Sequence, residues 1–576
     1  MPPSSPRGPR GPRGPSSPVL SLNEHITELI SLAGPLILSQ VLTISMTLVD
    51  FAMVGRLGNT ELAAASLATT WFNLLNHPVT GGLTALDTFF SQSFGAKDHV
   101  AVNRWLRTGA VATVAVTIPQ ALLVATCSPA LQLFGQDAHL SDLASSFCNR
   151  LIPGLIPFYL FQLLTKYLQC NGILNPSIYI AAVANVLNIL TNYLFIYSFG
   201  IGLNGAAIST TLMRWLQFFG LLLYIVMYLK PRTPSIEASW PTTFNSWYSI
   251  ALSSSSSSPS SSSDPPSPPT FAPFFALALP GMLMLATEAW AFEISTILAG
   301  LLHDLVSLDA HAALLTTCAF AFLSVPFAIG IAGCIRTGTF LGSGDWRNAK
   351  GGARAILVLT TCTQVVVAAL FLVGRRPVSY LFTDDDAVAE AVERLCTLAA
   401  LFQVSDGLQS AVGGVLRGVG KHRVVLAMNV VGFWVLGLPI MGALTFGGKG
   451  LGVAGIWWGF VVGLSSTAGA GVYYVTKVLD FEKEVQVAKN RAEGGGGGGG
   501  EGEGEGKDDD EEEKKMNRNP LIVALSWVDG FGVIGDDWDD DDDGVFDANG
   551  NNKQPPAADD NAWKHNIYIE QGVRMC

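Results

Sequence analysis

The chain has 576 residues, of which 49% are hydrophobic and only 14% are charged, and its mean hydropathy is +0.37. Soluble domains carry about 25% charged residues, so this composition excludes an ordinary water-exposed protein. The formal net charge of −12 does not describe the whole chain, because the negative excess lies in one C-terminal segment from Glu501 to Asp543. The remainder is close to neutral, so we expect no nucleic-acid partner.

Apolar stretches separated by short polar joints follow one another along the chain. A hydrocarbon core of roughly 30 Å needs about 20 apolar helical residues per crossing. We therefore predict an all-α polytopic membrane protein with about twelve transmembrane helices. The predicted spans lie near residues 30–54, 64–90, 108–128, 151–170, 178–198, 205–229, 272–302, 312–335, 353–373, 395–416, 424–446 and 452–475.

Polar, low-complexity segments divide the chain into five parts. The central one is rich in serine and proline and the C-terminal one in glycine and acidic residues, compositions that cannot bury a core. We predict a disordered tail at 1–24, an N-lobe at 25–230, a flexible cytosolic linker at 231–270, a C-lobe at 271–480 and a disordered tail at 481–576.

The two lobes repeat each other at an offset of 248 residues. The matching pairs are Leu133–Asp137 with Leu381–Asp385, Gly172 with Gly420, and Gly202–Leu203 with Gly450–Leu451. Six spans is an even number, so both copies enter the bilayer the same way round. Two six-helix lobes related by a pseudo-twofold axis along the membrane normal are typical of transporters in which one lobe rocks against the other.

Basic residues predict the orientation. With the N-terminus in the cytosol, inner loops hold twelve Lys and Arg residues and outer loops hold six, as the positive-inside rule requires. Both termini are then cytosolic, in a multi-pass protein of the plasma membrane or of a vacuolar or other organelle membrane. We expect a monomer embedded in lipid, with no cofactor and no metal, and the absence of a phosphate-binding loop predicts secondary rather than ATP-driven transport.

Several local motifs together resemble one transporter family. They are Pro35 with Gln40 and Leu48–Asp50, Val54–Gly58, Ser91–Lys97, Glu288–Glu293, Gly413–Gly420 and Gly437–Pro439. Over residues 25 to 478 the chain resembles multidrug and toxic compound extrusion (MATE) transporters, and the Glu288–Glu293 stretch is similar to the eukaryotic branch. The resemblance implies two six-helix lobes and export of small molecules driven by inward flow of H⁺ or Na⁺.

Four acidic residues are candidates for binding the coupling ion. A charged side chain at mid-bilayer costs about 2.5–3.5 kcal/mol on insertion scales, so each acid retained there asks for an explanation. Glu288 and Asp406 lie at the middle of their predicted spans, with no basic residue nearby in sequence, and they match the C-lobe acids of the family. Glu293 is about 140° further round the same helix, where lining the cavity and bridging helices are equal alternatives. Asp50 lies near the outer end of span one, where a water-exposed helix end is an equal alternative to an ion or substrate ligand.

The candidates for substrate binding are Trp290, Asn188, Asn192 and Gln40. Trp290 offers an aromatic face to an organic cation beside Glu288. Asn188 and Asn192 share one helix face, where hydrogen bonding between helices is an equally good account. Gln40 belongs to the opening motif of the family.

A third group of residues has predicted structural or gating roles. Pro35 and Pro280 fall early in the first span of each lobe, where proline removes a helical hydrogen bond and permits bending. Asp87 is expected to tie span two to the cytosolic loop, and Arg417 belongs to the glycine-rich motif of the C-lobe.

The sequence thus favours a secondary antiporter that exports organic cations or other amphipathic small molecules in exchange for H⁺ or Na⁺. An organic-anion exporter of the same fold is an alternative; it requires basic residues inside the spans, where only Lys166 and Arg214 qualify. A polytopic membrane enzyme is disfavoured, because isolated mid-span acids replace the cluster of catalytic residues that such an enzyme needs.

Overall fold

The computed structural model describes residues 18–229, 271–380, 385–447 and 450–493, which form helices and no strands. The helices of the first lobe are α1 Leu22–Val54, α2 Asn59–Leu83, α3 Ala85–Gly95, α4 His99–Ala125, α5 Cys127–Leu133, α6 Ala138–Leu151, α7 Leu155–Cys170, α8 Asn175–Tyr193 and α9 Leu203–Tyr224. Those that follow are α10 Phe271–Gly300, α11 Leu305–Ser324, α12 Pro326–Gly342, α13 Trp346–Val373, α14 Arg375–Ser379, α15 Asp386–Val419, α16 His422–Asn429, α17 Leu438–Phe446, α18 Val453–Tyr473 and α19 Phe481–Glu493.

The fold contains twelve membrane-spanning helices in two lobes. Ten are long and apolar enough to be recognised by composition within the described residues. The other two are α2 continued by α3, and α15, which are long but carry polar side chains. Those side chains, among them Asp87, Gln92, Gln403 and Asp406, are buried against protein. The most polar spans therefore occupy protein-facing positions, where lipid does not penalise them.

Several helices extend beyond their predicted spans, as α1 illustrates. Where the sequence predicts a first span from residue 30, α1 begins at Leu22, behind a capping box in which Ser21 and Glu24 bond each other's backbone N–H groups. Hydropathy delimits only the lipid-embedded part of a helix, which explains the difference. Pro35 and Pro280 lie inside α1 and α10, which remain continuous through them.

The lobes meet in a pseudo-symmetric way. Helix α2 of the first lobe packs along α10 of the second, α1 packs against α11, α12 and α13, and α3 lies against α12 at the centre. Glycines permit this close approach: a Cβ atom on Gly95 would overlap the Thr339 carbonyl, and one on Gly342 would overlap the Gln92 carbonyl. The backbones of the two lobes are therefore in direct contact.

One end of the bundle, here called the basic face, carries the α3–α4, α12–α13 and α15–α16 connections with Lys97, Arg347 and Lys421. Hydrogen bonds join the lobes near this face. Gln92 Nε2 donates to the Gly418 carbonyl at 2.9 Å, the Thr88 hydroxyl donates to the Arg417 carbonyl, and Arg336 Nη1 pairs with Glu28 at 2.5 Å. In this conformation the lobes are thus held together at the basic face.

The C-terminal tail is not disordered from residue 481, which corrects the predicted boundary. Residues 481–493 form α19, because Phe481, Val485 and Ala488 recur at helical spacing and are buried against the C-lobe. Glu484 pairs with Lys421 at 2.8 Å. The predicted linker, most of both tails and the Leu381–Asp384 part of the repeat lie outside the described residues.

Arg491 of α19 joins the ends of both lobes at the basic face. Its Nη1 donates to the Val419 carbonyl of α15 at 2.7 Å and to Gln92 Oε1 of α3 at 3.4 Å. Burial lowers the pKa of this guanidinium, and Glu484 acts in the opposite direction. Helix α19 is therefore part of the closure of the basic face.

Candidate functional site

Two carboxyl groups lie inside the C-lobe. Glu288, on α10, accepts hydrogen bonds at Oε2 from Asn429 Nδ2 and from Gln409 Nε2, both at 3.3 Å. Gln409 also donates to Asn429 Oδ1 at 3.1 Å, and Asn429 donates to the Met284 carbonyl at 3.2 Å. The two amides thereby fix the position of the Glu288 carboxyl between α10, α15 and α16.

Asp406 lies on α15, one turn before Gln409. The residue is 4% exposed, and no hydrogen bond from the described residues reaches its carboxyl. Glu288 is close enough to repel it electrostatically. Two like charges repel each other more strongly in a low-dielectric interior than in water.

A third carboxyl group, Asp50 of α1, is bonded inside the N-lobe. Asn192 Nδ2 donates to its Oδ1 and the Thr210 hydroxyl donates to its Oδ2, each at 2.6 Å. Asn192 also donates to Asn188 Oδ1 at 3.2 Å, and Asn188 donates to the Ser209 hydroxyl at 3.3 Å. Both Asp50 oxygens therefore have a donor, unlike those of Asp406.

The candidates beside Glu288 lie at the junction of the lobes. Trp290 Nε1 donates to the Leu74 carbonyl of α2 at 3.2 Å, so this indole links the C-lobe to the N-lobe. Glu293 is partly buried and its carboxyl makes no hydrogen bond with the described residues. Gln40, on α1, is also partly buried, and its side chain makes no hydrogen bond with the described residues.

The described residues contain no group of three or more His, Cys, Asp or Glu placed to hold a metal ion.

The family model for MatE matches residues 35–194 and 280–441, one stretch in each lobe. This chain belongs to the MATE transporter family. It is 32% identical over 466 residues to multidrug and toxin extrusion protein 1 of Xenopus tropicalis, covering 81% of this chain and 76% of the relative. It is also 32% identical to multidrug and toxin extrusion protein 2 of Oryctolagus cuniculus, covering 80% and 72%.

The fold agrees with this assignment. The crystal structure of the eukaryotic MATE transporter AtDTX14 superposes with a TM-score of 0.73 at 24% identity, over 82% of this chain and 99% of that chain. The predicted family, the all-α architecture and the two six-helix lobes are thereby confirmed. The family model matching once in each lobe also accounts for the internal repeat.

One structural role within this MATE protein differs from its prediction. Asp87 does not bond the loop that follows span two; its Oδ1 lies 2.6 Å from Lys166 Nζ of α7, in an ion pair with side chains 10% and 16% exposed. Sequence could not pair residues on different helices of the N-lobe. Arg417 is buried at the end of α15, and its Nε has no hydrogen-bond partner.

Sequence reasoning missed two residues that bond Glu288, Gln409 and Asn429, and it gave Arg417 only a structural or gating role. Arg417 interacts with Glu288 electrostatically without forming an ion pair with it. The sequence did hold a signal on α15: Gln409 and Arg417, three and eleven positions after Asp406, lie on nearly the same helix face as Asp406. Asn429 had no comparable signal, since it comes from α16.

Proposed function

We propose that this MATE-family protein is a secondary active antiporter that exports organic cations or other amphipathic small molecules in exchange for H⁺ or Na⁺. The observation that carries the proposal is the pair Glu288 and Asp406. Asp406 is buried in the C-lobe and Glu288 is partly buried there, the two carboxyls repel each other, and neither forms an ion pair with a described residue. Such a pair takes up a cation to relieve its charge and releases it when water or substrate replaces that cation.

The position of Glu288 offers a route from ion binding to movement of the lobes. Its carboxyl bonds Asn429 and Gln409, while Trp290, half a turn away on α10, bonds the Leu74 carbonyl of the other lobe. Protonation removes the charge that the two amides stabilise. The resulting shift of α10 against α2 changes the relative stability of the two lobe arrangements, which is what alternating access requires.

The distribution of charge supports an orientation of the protein in the membrane. The basic face carries the excess of Lys and Arg, so we assign it to the cytosol and propose that both termini lie there. The lobes are bonded at this face, and the described conformation is then closed towards the cytosol. The relatives' names, multidrug and toxin extrusion proteins, support export as the direction.

Proteoliposomes test the proposal directly. Purified protein is reconstituted, and uptake of radiolabelled phenyltrimethylammonium is measured under an imposed pH gradient, an imposed Na⁺ gradient, or neither. We expect one gradient to drive accumulation and Glu288→Gln to abolish it, because the amide cannot exchange a proton or neutralise a cation. Asp406→Asn should reduce it to a similar extent.

Glu390→Gln is the matched control. This acid lies on α15 like Asp406, but its side chain is 69% exposed and pairs with Arg394 across one helical turn. Exposed pairs of this type contribute at most about 1 kcal/mol, so transport by this variant should equal that of the wild type. Gradient-driven accumulation by Glu288→Gln at the wild-type rate would contradict the proposal, as would the lack of any gradient effect on wild-type uptake.

A further inference from the structure

Two cysteines meet at the end of the N-lobe that lies opposite the basic face. Helix α4 starts at the α3–α4 connection on the basic face and runs for 27 residues, so Cys127, which follows it in α5, lies at the far end of the bundle. Cys148 lies on α6, about three turns from the start of the returning span Ala138–Cys170. In the proposed orientation both thiols are therefore on the non-cytosolic side of the protein.

The packing of α5 on α6 brings the two thiols together. The Ser128 hydroxyl, beside Cys127 in the chain, donates to Asp142 Oδ1 of α6 at 2.7 Å. The thiols of Cys127 and Cys148 hydrogen-bond each other, and both cysteines are 0% exposed within one apolar cluster. Because both helices belong to the N-lobe, this contact does not depend on how the two lobes are arranged.

The other described cysteines have different surroundings. Cys170 ends α7, at the cytosolic end of its span in the proposed orientation, and Cys362 is exposed on α13. The Cys318 thiol hydrogen-bonds Gln403 rather than a second cysteine. No other two thiols of the described ranges hydrogen-bond each other. Contact and location together therefore distinguish the first two cysteines of the chain from the rest.

We infer that Cys127 and Cys148 form a disulfide bond that cross-links α5 to α6. The non-cytosolic side of membranes made on the secretory route is oxidising, whereas the cytosol keeps thiols reduced. Both residues are free thiols in this structure, and their contact leaves only a short approach of the two sulfur atoms before a bond can form. The inference uses the proposed membrane orientation and no part of the transport mechanism.

Formation of this bond is a two-electron oxidation. The two thiols lose two protons and two electrons as one S–S bond forms, and the disulfide of a protein thiol oxidoreductase accepts them and becomes a dithiol. In the folded lobe the Cys148 thiol lies 3.3 Å from the Ala68 carbonyl of α2, which covers it. The oxidoreductase therefore acts while the N-lobe is still folding, and the packed helices afterwards shield the bond from reductants.

Differential alkylation of the full-length protein tests the inference. The protein is expressed in insect cells, and the membranes are denatured directly in excess N-ethylmaleimide, which blocks every free thiol before air can oxidise it. Disulfides are then reduced and labelled with deuterated N-ethylmaleimide, and mass spectrometry identifies the label on each cysteine peptide. We expect the deuterated label on Cys127 and Cys148 in most molecules, and the ordinary label on Cys170 and Cys362. The ordinary label on Cys127 or Cys148 in most molecules would overturn the inference.

Two single variants show whether these cysteines pair with each other. Cys127→Ser should leave Cys148 with the ordinary label, and Cys148→Ser should do the same for Cys127, because each cysteine loses its partner. Cys362→Ser is the matched control and should leave the deuterated label on both. A deuterated label on Cys148 in Cys127→Ser would mean that Cys148 bonds a different cysteine, which also overturns the inference. The wild-type labels decide the question even if the serine variants fail to fold.

Failure of this inference and failure of the antiporter proposal give different results. If Cys127 and Cys148 carry the deuterated label while gradient-driven uptake is absent, the disulfide stands and the antiport mechanism is wrong. If uptake depends on Glu288 while both cysteines carry the ordinary label, the antiporter stands without the disulfide.

Discussion

Removing the ion pair between Asp87 and Lys166 is the change whose effect on the free energy of unfolding follows most directly from the structure. The two atoms lie 2.6 Å apart and the side chains are 10% and 16% exposed, so little water screens either charge. Removing one partner of a buried pair leaves the other charge uncompensated, at a cost of about 3–5 kcal/mol. We therefore expect Asp87→Asn and Lys166→Met each to lower the free energy of unfolding by about 3 kcal/mol or more.

The double variant separates charge pairing from loss of packing. With both charges removed nothing buried remains uncompensated, and replacing a buried pair by neutral groups is often close to neutral. Asp87→Asn combined with Lys166→Met should therefore recover most of the stability that either single change loses, with an interaction energy of about 2–3 kcal/mol. Equilibrium unfolding in mixed detergent–SDS micelles, followed by tryptophan fluorescence, measures all four proteins.

Two outcomes would refute this reasoning. If the double variant loses the sum of the two single losses, the residues do not act as a pair. If it is stable but shows no gradient-driven uptake, Asp87 or Lys166 has a part in transport, which a purely structural pair excludes. Recovery of both stability and uptake would leave the coupling role to the C-lobe acids.

Two further predictions concern the basic face. Gly342→Ala should lower the free energy of unfolding by about 1–3 kcal/mol, because the added Cβ would overlap the Gln92 carbonyl across the lobe junction. Gly442→Ala is the control: its Cβ would have no neighbour within 4 Å, so it should be neutral or stabilising in the same SDS titration. Arg491→Ala should release α19, which bonds Val419 through this side chain, and speed amide hydrogen exchange across residues 481–493. The exposed Lys483→Ala is its control, and equal exchange in both variants would show that Arg491 does not hold the helix.

The sequence was informative about spans because the bilayer imposes a simple length and polarity requirement on each crossing. It predicted α2 with α3 and α15 as spans in spite of their polar residues, because each stretch contains enough apolar residues around the polar ones. It could not predict that their polar side chains bond the other lobe. Thr88 and Gln92 donate to carbonyls more than 320 residues away in the chain, and no local pattern records such a contact.

The depth of the candidate site within the membrane could be predicted from the sequence, but its hydrogen bonds could not. A carboxyl group in the middle of a span stands out in a sequence, because placing its charge in the bilayer costs free energy. This signal identified Glu288 and Asp406. The groups that position Glu288 are amides, which cost less inside a membrane helix than a charge does, so the sequence did not draw attention to Gln409 and Asn429. Helix α19 was missed because its three buried residues are few among charged ones, and low mean hydropathy there resembled a disordered tail.

The two lobes differ in the partners of their buried charged side chains, and this difference bears on the mechanism. In the N-lobe, Asp50 has a donor on each oxygen and Asp87 has Lys166, while Arg214 keeps an unused N–H. In the C-lobe, the acids repel each other and Asp406 has no donor among the described residues. Under the proposed function, a proton or Na⁺ therefore neutralises more uncompensated charge in the C-lobe than in the N-lobe. Because the junction of the lobes lies beside Glu288, through the Trp290–Leu74 hydrogen bond, neutralising that charge would act on the contact between the lobes.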